Sequence, residues 1–492
     1  MSPLHSQCAA SALRVRVTAT IRCAGLFAGA ALLLSACSLA PTYEPPRMTA
    51  AASYQEAGDW VEVHASPPAP PGAWWESFRD TQLNELEVQA QSANQNLLAA
   101  VARLMQARDI ARAQNAELFP QVSVDAAHQN GRISSNKPLF PPGINTSYQD
   151  NTAGLNLNYE IDLWGALRNA STATAALAQA SADDLAALRL STQAELATDY
   201  FNLQATGVQI DLLQHVTGNW QENKQLTEKM MEQGFATESD IDLAQLNLQN
   251  TSAQLFALQG QRKQLEHAIA LIVGANPDTF TLPATHTFDA HPLQPEIGLP
   301  STLLERRPDI ASAERAVMAA NAQIGVARAA FFPVFSLNAA AGYESKAAAG
   351  WLNAPNRFWS VGPALGLNLF NGGQLQALSD LARAQWEESA ARYRNTVLTA
   401  WREVEDGLSS QHALNQALGS SQQAMSAAQA AQQQAQYRYT GGLGNQIEVL
   451  QSERITLNAS TAQIELQRQN VINSIGLVKA LGGDMTQGTP AR

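Results

Sequence analysis

The sequence predicts an α+β membrane protein that is internally duplicated, and three observations carry that prediction. First, the run from Gly234 to Asp240 matches the run from Gly442 to Glu448 at a shift of 442 − 234 = 208 residues. Second, each half carries two segments in which apolar and polar residues alternate, the pattern of a two-faced strand. Third, no proline occurs in residues 143–276 or 364–489, and most of each stretch reads as long helices. A duplicated unit of this kind favours a conduit over an enzyme.

The amino terminus reads as a targeting segment followed by a tether. Three arginines precede the apolar residues 24–34, a stretch too short to span a bilayer. It closes with Leu34-Ser35-Ala36-Cys37, which looks like a bacterial lipobox. We therefore expect residues 1–36 to be a lipoprotein signal peptide and Cys37 to carry covalent lipid. An ordinary signal peptide with a chance cysteine is the alternative. Residues 37–73 are rich in Pro and Ala and predict an extended tether.

Composition argues against several functions. The formal net charge is −12, and removing the three arginines of the signal gives −12 − 3 = −15, which argues against nucleic-acid binding. Cys8 and Cys23 leave with the signal, so the mature chain can form no internal disulfide. The histidines show no metal-ligand spacing. The glycines of residues 441–444 lie between two helices and not after a strand, so a phosphate loop is not expected. We expect no enzyme, no metal, and no cofactor apart from the lipid on Cys37.

Four segments alternate strictly and predict strands. Their apolar residues fall at 122–126, 155–163, 335–343 and 359–369, and the residues between them are polar or very small. Aromatic residues gather near the segment ends, as in transmembrane barrels. A soluble sheet with one buried face is the alternative. Four strands cannot close a lipid-facing barrel, because its edges would be unpaired. Either the sheet is soluble, or several protomers each contribute four strands.

The helical segments are longer than a small globular domain needs. A first helical pattern covers residues 81–117, and an outgoing helix over residues 166–233 would measure roughly 100 Å. The returning helix has apolar residues at Ile241, Leu248 and Leu255, steps typical of a coiled coil. Such lengths suit a structure that crosses a periplasm. A fibrous coiled coil would explain these helices but not the strands.

The run Leu303-Leu304-Glu305-Arg306-Arg307-Pro308-Asp309-Ile310 carries the most specific resemblance. It continues through Ala319-Ala320-Asn321-Ala322-Gln323-Ile324-Gly325-Val326-Ala327 to Ala330-Phe331-Phe332-Pro333. This sequence resembles the outer-membrane factors of tripartite RND-type efflux pumps, the TolC-like channels, in their lipoprotein branch. The resemblance covers residues 74–483 and includes the lipobox and the duplication.

The resemblance implies a homotrimer in the outer membrane of a Gram-negative bacterium. Four strands from each protomer would form a twelve-stranded β-barrel, continued by a twelve-helix α-barrel through the periplasm. The first repeat would be residues 74–276 and the second residues 301–483. Residues 277–300 would form an equatorial segment, and residues 484–492 a flexible tail. The partners would be a periplasmic adaptor and an inner-membrane RND-type pump.

The resemblance also assigns roles to the two helical tips. Gly234-Phe235 and Gly442-Leu443 match the motif that contacts the adaptor. The periplasmic gate would be formed by the following residues: Asp240, Glu448, Ile447, Gln451 and Tyr439. In a trimer, Asp240 and Glu448 would form two rings of like charges that raise each other's proton affinity. The alternative to a gate role for Asp240 is that its side chain stabilises the start of a helix. Gly444 stands where some relatives have a gate arginine, and Gln451 replaces an acid.

The expected function is passive conduction of small molecules, such as drugs or other toxic compounds, from the pump to the outside. Two alternatives stay open. The chain could serve another export or secretion system, or it could be a structural periplasmic coiled-coil lipoprotein. The sequence does not name the cargo, because a duct lined by small polar residues selects weakly.

Overall fold

A computed structural model describes residues 38–51, 53–57, 72–138, 146–295 and 299–483. The signal peptide, Cys37, residues 58–71 of the tether and the tail 484–492 lie outside the described residues. Within the described residues, the helices are α1 (Thr81–Ala93), α2 (Gln95–Ala116), α3 (Ala166–Glu232), α4 (Glu238–Ile272), α5 (Leu303–Arg306), α6 (Pro308–Ala329), α7 (Gln374–Thr440) and α8 (Gln446–Ala480). The strands are β1 (Gln121–Arg132), β2 (Ser147–Ile161), β3 (Val334–Ser345) and β4 (Arg357–Gly366).

The chain folds into two compact units, and each unit takes segments from both repeats. Among the described residues, one unit combines those of 38–46, 105–180 and 314–392 and holds all four strands. The other combines the described residues of 47–104, 181–313 and 393–483 and holds the helical tips. The two compact units therefore do not correspond to the two sequence repeats.

The four strands form one antiparallel sheet in the order β1-β2-β3-β4. The register sets the predicted apolar residues on one face, because directly opposed residues share a face. One row, for example, runs Val124, Leu155, Ala341 and Trp359. The next row on the other face runs Ser123, Asn156, Ala340 and Ser360. The sheet thus has one apolar face and one face of mainly polar or small residues, with Tyr148, Val334 and Phe358 on the second face near the strand ends.

The strand ends differ from the alternation in the sequence. β4 ends at Gly366, so Leu367 and Leu369 lie beyond it, and β2 ends at Ile161, before Leu163. Both strands stop where β3 can no longer pair with them, since Pro333, just before β3, has no N–H to donate. At the other end the ladder runs further than predicted, with Arg132 opposite Ser147.

The first helical segment is broken at Asn94, where the sequence predicted one helix. The side chain of Asn94 accepts a bond from the backbone N–H of Leu97 at 3.0 Å and donates to the carbonyl of Ile272 at 2.8 Å. Asn94 therefore caps the start of α2 and links the break between α1 and α2 to the end of α4. The second repeat uses Arg307 between α5 and α6 in the same way. Its Nη1 donates to the carbonyl of Ala480 at 3.0 Å, and 480 − 272 = 208, the shift of the duplication.

The core of the tip-bearing unit lies between its helices. Trp74, Phe201, Ile269 and Ile475 are buried in one cluster that joins α3, α4 and α8. Towards the tips, Trp220 of α3 is buried in a second cluster that contains Leu255 of α4 and both Leu450 and Leu457 of α8. These are heptad-spaced positions, as the coiled-coil periodicity predicted. α3 therefore packs against both returning helices.

Candidate functional site

The residues predicted for the gate and for the adaptor contact all lie where the long helices turn. The first tip comprises residues 233–240, between α3 and α4, and the second comprises residues 441–448, between α7 and α8. Both tips belong to the same compact unit. Tyr439 lies on α7 just before the second tip, and Gln451 lies on α8 just after it.

Both helices enter their tips through the same hydrogen-bonded turn. Gly234 has φ +79 and Gly442 has φ +72, backbone conformations that favour glycine. Gly234 donates to the carbonyl of Met231 at 2.9 Å, and Phe235 donates to that of Met230 at 2.8 Å. At the second tip the equivalent donors are Gly442, to Tyr439 at 3.0 Å, and Leu443, to Arg438 at 2.8 Å. This pattern ends a helix and satisfies its last carbonyls.

The turn presents an apolar side chain to solvent at each tip. Phe235 is 76% exposed and Leu443 is 78% exposed. A Cβ placed on Gly234 or Gly442 would meet nothing within 4 Å, so the glycines are required by backbone conformation and not by crowding. Exposed apolar side chains on a rigid turn suit contact with a partner protein.

The first tip closes on itself through Asp240. The side chain of Thr237 accepts from the backbone N–H of Asp240 at 3.3 Å. In return, Oδ2 of Asp240 accepts from the N–H of Thr237 at 2.8 Å and from its hydroxyl at 2.7 Å. This is a capping box. The backbone hydrogen bond from Thr237 lowers the pKa of Asp240 below its ordinary value. In the single chain, these bonds therefore support the alternative role of Asp240, which is to stabilise the start of a helix.

The second tip uses a different arrangement around Glu448. Asn445 caps α8 by accepting from the backbone N–H of Glu448 at 2.9 Å. The carboxylate of Glu448 lies 3.8 Å from Nη1 of Arg438, which belongs to α7. Nη2 of Arg438 also donates to the carbonyl of Leu443 at 3.4 Å. The acid of this tip thus pairs across the helical hairpin.

Gly444 makes room for that pair. A Cβ at this position would lie 3.2 Å from Oε2 of Glu448 and 3.3 Å from the Cβ of Arg438. The resemblance placed a gate arginine of some relatives at Gly444. In this chain the basic side chain near Glu448 comes from Arg438, six residues before Gly444. Neither spacing nor periodicity in the sequence links Arg438 to Glu448, and the glycine at 444 is the one indication of their pairing.

The remaining gate residues share the outer surface of the second tip. Ile447 is 55% exposed and Tyr439 is 39% exposed, and Gln451 is exposed as well. Val449 and Leu450, by contrast, are buried. Ile447 and Gln451 are four residues apart and lie on one face of α8. Asp240 makes its described bonds within the first tip, whereas Glu448 contacts Asn445 within the second tip and Arg438 on the preceding helix.

No helix in the described part of the chain is long and apolar enough to cross a membrane. Across the same residues, no group of three or more His, Cys, Asp or Glu side chains is arranged to hold a metal ion.

An apolar-faced sheet joined to long helical hairpins defines an outer-membrane channel protomer, and sequence comparison agrees. The profile of the family described as "Outer membrane efflux protein" matches residues 86–275 and 299–483, most of the chain. The chain belongs to this family.

Its relatives match over nearly their full length. The cation efflux system protein CusC of Escherichia coli is 30% identical over 460 residues, 93% of this chain and 98% of CusC. The solvent efflux pump outer membrane protein SrpC of Pseudomonas putida is 31% identical over 461 residues, 92% of this chain and 97% of SrpC. Among solved structures, the outer-membrane channel OprN has a TM-score of 0.81 at 30% identity, covering 91% of this chain and 100% of OprN.

These comparisons confirm the predicted family, the α+β channel fold, the outer-membrane location and the function of an efflux channel. They place the chain in a family of channels and not of enzymes. The roles of individual tip residues and the lipid on Cys37 stay predictions.

Proposed function

We propose that three copies of this chain form a closed duct that conducts small molecules from an inner-membrane pump and a periplasmic adaptor to the outside. One observation carries this proposal. The sheet has an exposed apolar face and two unpaired edges, a combination that marks a surface for contact with lipid and with further strands.

The edge strands explain why a single copy is insufficient. In the sheet order, β1 and β4 each have one neighbour. An unpaired strand edge cannot face lipid, because its N–H and C=O groups would have no partner. Three sheets of four antiparallel strands close by placing β4 of one copy beside β1 of the next. The twelve strands then form a barrel without edges.

The apolar face suits lipid. Val124 is 75% exposed, Trp359 is 78% exposed and Leu365 is 62% exposed, all on the same face. The opposite face carries Asp125, whose carboxylate accepts from Asn156 at 2.5 Å, and would line an aqueous lumen. A transmembrane barrel has this arrangement of an apolar exterior and a polar interior.

The helices also present apolar side chains for neighbouring copies. On α4, Leu243 and Leu246 are each 55% exposed and Phe256 is 67% exposed; on α7, Leu398 is 55% exposed. Because α3 already packs against both α4 and α8, the free flanks belong to α4 and α7. Packing α4 of one copy against α7 of the next would bury these side chains and continue the barrel as a twelve-helix tunnel.

The tips would close this tunnel and meet the adaptor. Asp240 and Glu448, with Ile447, Gln451 and Tyr439, would form the constriction. Gly234-Phe235 and Gly442-Leu443 would contact the adaptor's helices. Opening would be an iris-like movement of the hairpins, stabilised by the adaptor. The chain itself would supply no energy.

The lipid on Cys37 would add an anchor beside the sheet. Ser38, the next residue, donates to Oδ1 of Asn169 at 3.0 Å. Further along, Arg328 donates to the carbonyl of Leu39 at 3.2 Å and Asn321 donates to that of Pro41 at 2.9 Å. These bonds hold residues 38–41 against the start of α3, which follows β2, and against α6, whose end leads directly into β3. Mass spectrometry of the mature amino terminus tests the modification.

The cargo is a small molecule whose identity the pump would decide. Relatives of nearly equal identity are named for cation efflux and for solvent efflux. The duct therefore does not specify one chemical class. We propose that drugs or other toxic compounds are carried.

Planar-bilayer conductance of the purified, lipidated protein tests the duct and its gate. The parent is compared with Asp240→Ala/Glu448→Ala and with a charge-matched control, Asp278→Ala/Asp289→Ala, in the segment between the repeats. We expect small discrete steps in the parent and the control, and larger or less cation-selective steps in the tip variant. Unchanged steps in the tip variant would keep the duct but move the gate towards Ile447 and Gln451. No steps from any of the three proteins, despite verified insertion, would overturn the channel.

A further inference from the structure

The charged residues of the sheet are divided between its two faces by sign. Seven residues of the four strands are acidic, basic or histidine: Asp125, His128, Arg132, Asp150, Glu160, Glu344 and Arg357. The register assigns each of them to a face, since opposed residues share one. His128 lies opposite Asn151, which lies opposite Ser345, and Arg357 lies opposite Tyr343. These residues continue the apolar face towards the hairpin ends.

Every acid lies on the other face. Asp125 is opposite Gly154, Glu344 is opposite Thr152, and Asp150 is opposite Gln129, all in rows between those of the apolar face. Glu160 lies opposite Ser336, again in such a row. The apolar face thus bears Arg132 and Arg357 and no acid within the strands. Chance alternation would scatter the two signs over both faces.

Arg357 lies directly beyond the apolar band, and Arg132 lies further along the same face. Trp359 and Val124 belong to its last row, and Arg357 belongs to the row after it, roughly 7 Å further along the strands. Arg132 lies three rows beyond Arg357, at the hairpin end of β1. This is the end away from the helices. In the proposed duct it is therefore the rim at the outer leaflet of the outer membrane.

Neutral hydrogen-bonding groups fill the space between the arginines. Nδ1 of His128 lies 2.7 Å from Oδ1 of Asn151, and Nε2 lies 3.0 Å from Nδ2 of Asn130. A neutral imidazole with its proton on Nδ1 satisfies both contacts. Asn151 also donates to the carbonyl of Ser345 at 2.9 Å. The side chains are thus fixed as a polar belt beyond the apolar band. Asn151 is buried and holds His128 in place, while His128 and Asn130 are exposed and can meet sugar hydroxyls.

We propose that Arg357 and Arg132, with this polar belt, form a lipid-facing site for the phosphorylated sugar headgroup of outer-leaflet lipopolysaccharide. The inference rests on the proposed duct, which makes this face the outer one. A guanidinium donates in a planar fork that fits phosphate oxygens. Arg357 uses one of its five N–H donors on the carbonyl of Ala354, at 3.3 Å.

Trimer closure concentrates the site at the seams. β4 carries Arg357 and β1 carries Arg132, and these are the two edge strands. Placing β4 of one copy beside β1 of the next brings both arginines to the outward face of the same seam. Lipopolysaccharide would then bridge neighbouring copies and stabilise the trimer, at three equivalent places.

The test measures binding and trimer stability in lipid. The full-length, lipidated protein is reconstituted into phosphatidylcholine vesicles containing deep-rough lipopolysaccharide, the same lipopolysaccharide without its lipid A phosphates, or neither. Arg357→Gln and Arg132→Gln are compared with Arg402→Gln, an exposed arginine of α7 that serves as the charge-matched control. Lipid retained by the trimer is counted by native mass spectrometry, and conductance is recorded for every protein.

We expect phosphorylated lipopolysaccharide to bind the parent and the control and to raise the melting temperature of their trimers. Each rim substitution should weaken this binding by roughly fivefold to tenfold, and conductance should be unchanged. Equal binding by the rim variants, or equal binding of the dephosphorylated lipid, would overturn the site and leave the channel standing. Loss of conductance and of the trimer in the parent itself would instead overturn the proposed duct, and the rim with it.

Discussion

The two helical tips share one backbone turn and differ in the contacts that the acidic side chain of each tip makes. Both end a long helix at a left-handed glycine, expose an apolar side chain directly after it and begin the next helix at a polar cap. At the first tip, Asp240 returns to its own cap and is held by Thr237. At the second tip, Glu448 faces Arg438 on the preceding helix.

The backbone turn is therefore common to both tips, whereas the contacts of the acidic side chain are particular to each. The glycine turn and the cap shape the hairpin, and duplication preserved both. The acids differ in their contacts where both the cap and the acid differ, with Thr237 and Asp240 at the first tip and Asn445 and Glu448 at the second. We infer that the first tip is the stiffer of the two, and that the second holds an ion pair that opening can break.

The largest effect should come from the feature that the tips share. Gly234→Ala and Gly442→Ala should each destabilise their tip by about 1 to 2 kcal/mol, because alanine is strained at positive φ and nothing crowds the new Cβ. Gly419→Ala is the matched control. It adds the same atom inside α7, also with nothing within 4 Å, and should stabilise the helix by about 0.5 to 1 kcal/mol. Hydrogen exchange of the tip peptides measures the first two variants, and that of the peptide around position 419 measures the control.

If either tip tolerates alanine as well as position 419 does, the turn is not held in the left-handed conformation. Unequal losses at Gly234 and Gly442 would show that the shared part of the design is not equivalent in the two tips.

The caps should separate the tips. Thr237→Ala removes the acceptor for the N–H of Asp240 and the hydroxyl donor to its carboxylate, whereas Asn445→Ala removes one described bond. We expect losses of about 1 kcal/mol at each tip, with the larger loss at Thr237. Hydrogen exchange at the first turns of α4 and α8 is the measurement. A larger loss at Asn445 would contradict the inference that the first tip is the stiffer.

Much of this architecture was predictable because it follows local rules. The duplication, the alternating strands and the helix lengths follow from periodicity, and the tips follow from Gly234 and Gly442. The capping box could also have been read from Thr237 and Asp240, three residues apart. From the sequence, stabilising the start of a helix is only the alternative to a gate role for Asp240.

Other features depend on partners far away in the chain, which periodicity does not reveal. The break at Asn94 is fixed by a bond to Ile272, 178 residues later. The end of β4 is set by where β3 begins after Pro333. The pairing of Arg438 with Glu448 depends on the path of the second tip, and Gly444 is its only trace in the sequence.

The ion pair of the second tip should matter more for selectivity than for stability. Both side chains are about half exposed, so Arg438→Gln should cost less than about 1 kcal/mol at the tip. In the proposed trimer, however, the substitution removes three positive charges beside the constriction. We expect higher cation selectivity in bilayer recordings at low salt, fading at high salt. Arg402→Gln is the control, and equal selectivity in both variants would contradict a role for Arg438 at the gate.

The smallest effect should be the response of the first tip to acid. The folded tip lowers the pKa of Asp240 through the hydrogen bond from the Thr237 backbone. Stability from the capping box is therefore present above the ordinary pKa of aspartate, about 3.9. It is lost as the pH falls through the lowered folded value. We expect hydrogen-exchange protection at the start of α4, corrected for intrinsic rates, to fall only below that ordinary value.

Asp240→Asn keeps the shape of the side chain but cannot titrate, so its protection should show no such step. The trimer sets a competing effect, because three Asp240 carboxylates in a narrow ring would raise one another's pKa. A step in the parent above the ordinary value would mean that the ring outweighs the cap, and that the first tip lines the constriction closely. A step below it would mean that Asp240 acts mainly on its own helix, and that the second tip, through Glu448 and Arg438, carries the electrostatics of the gate.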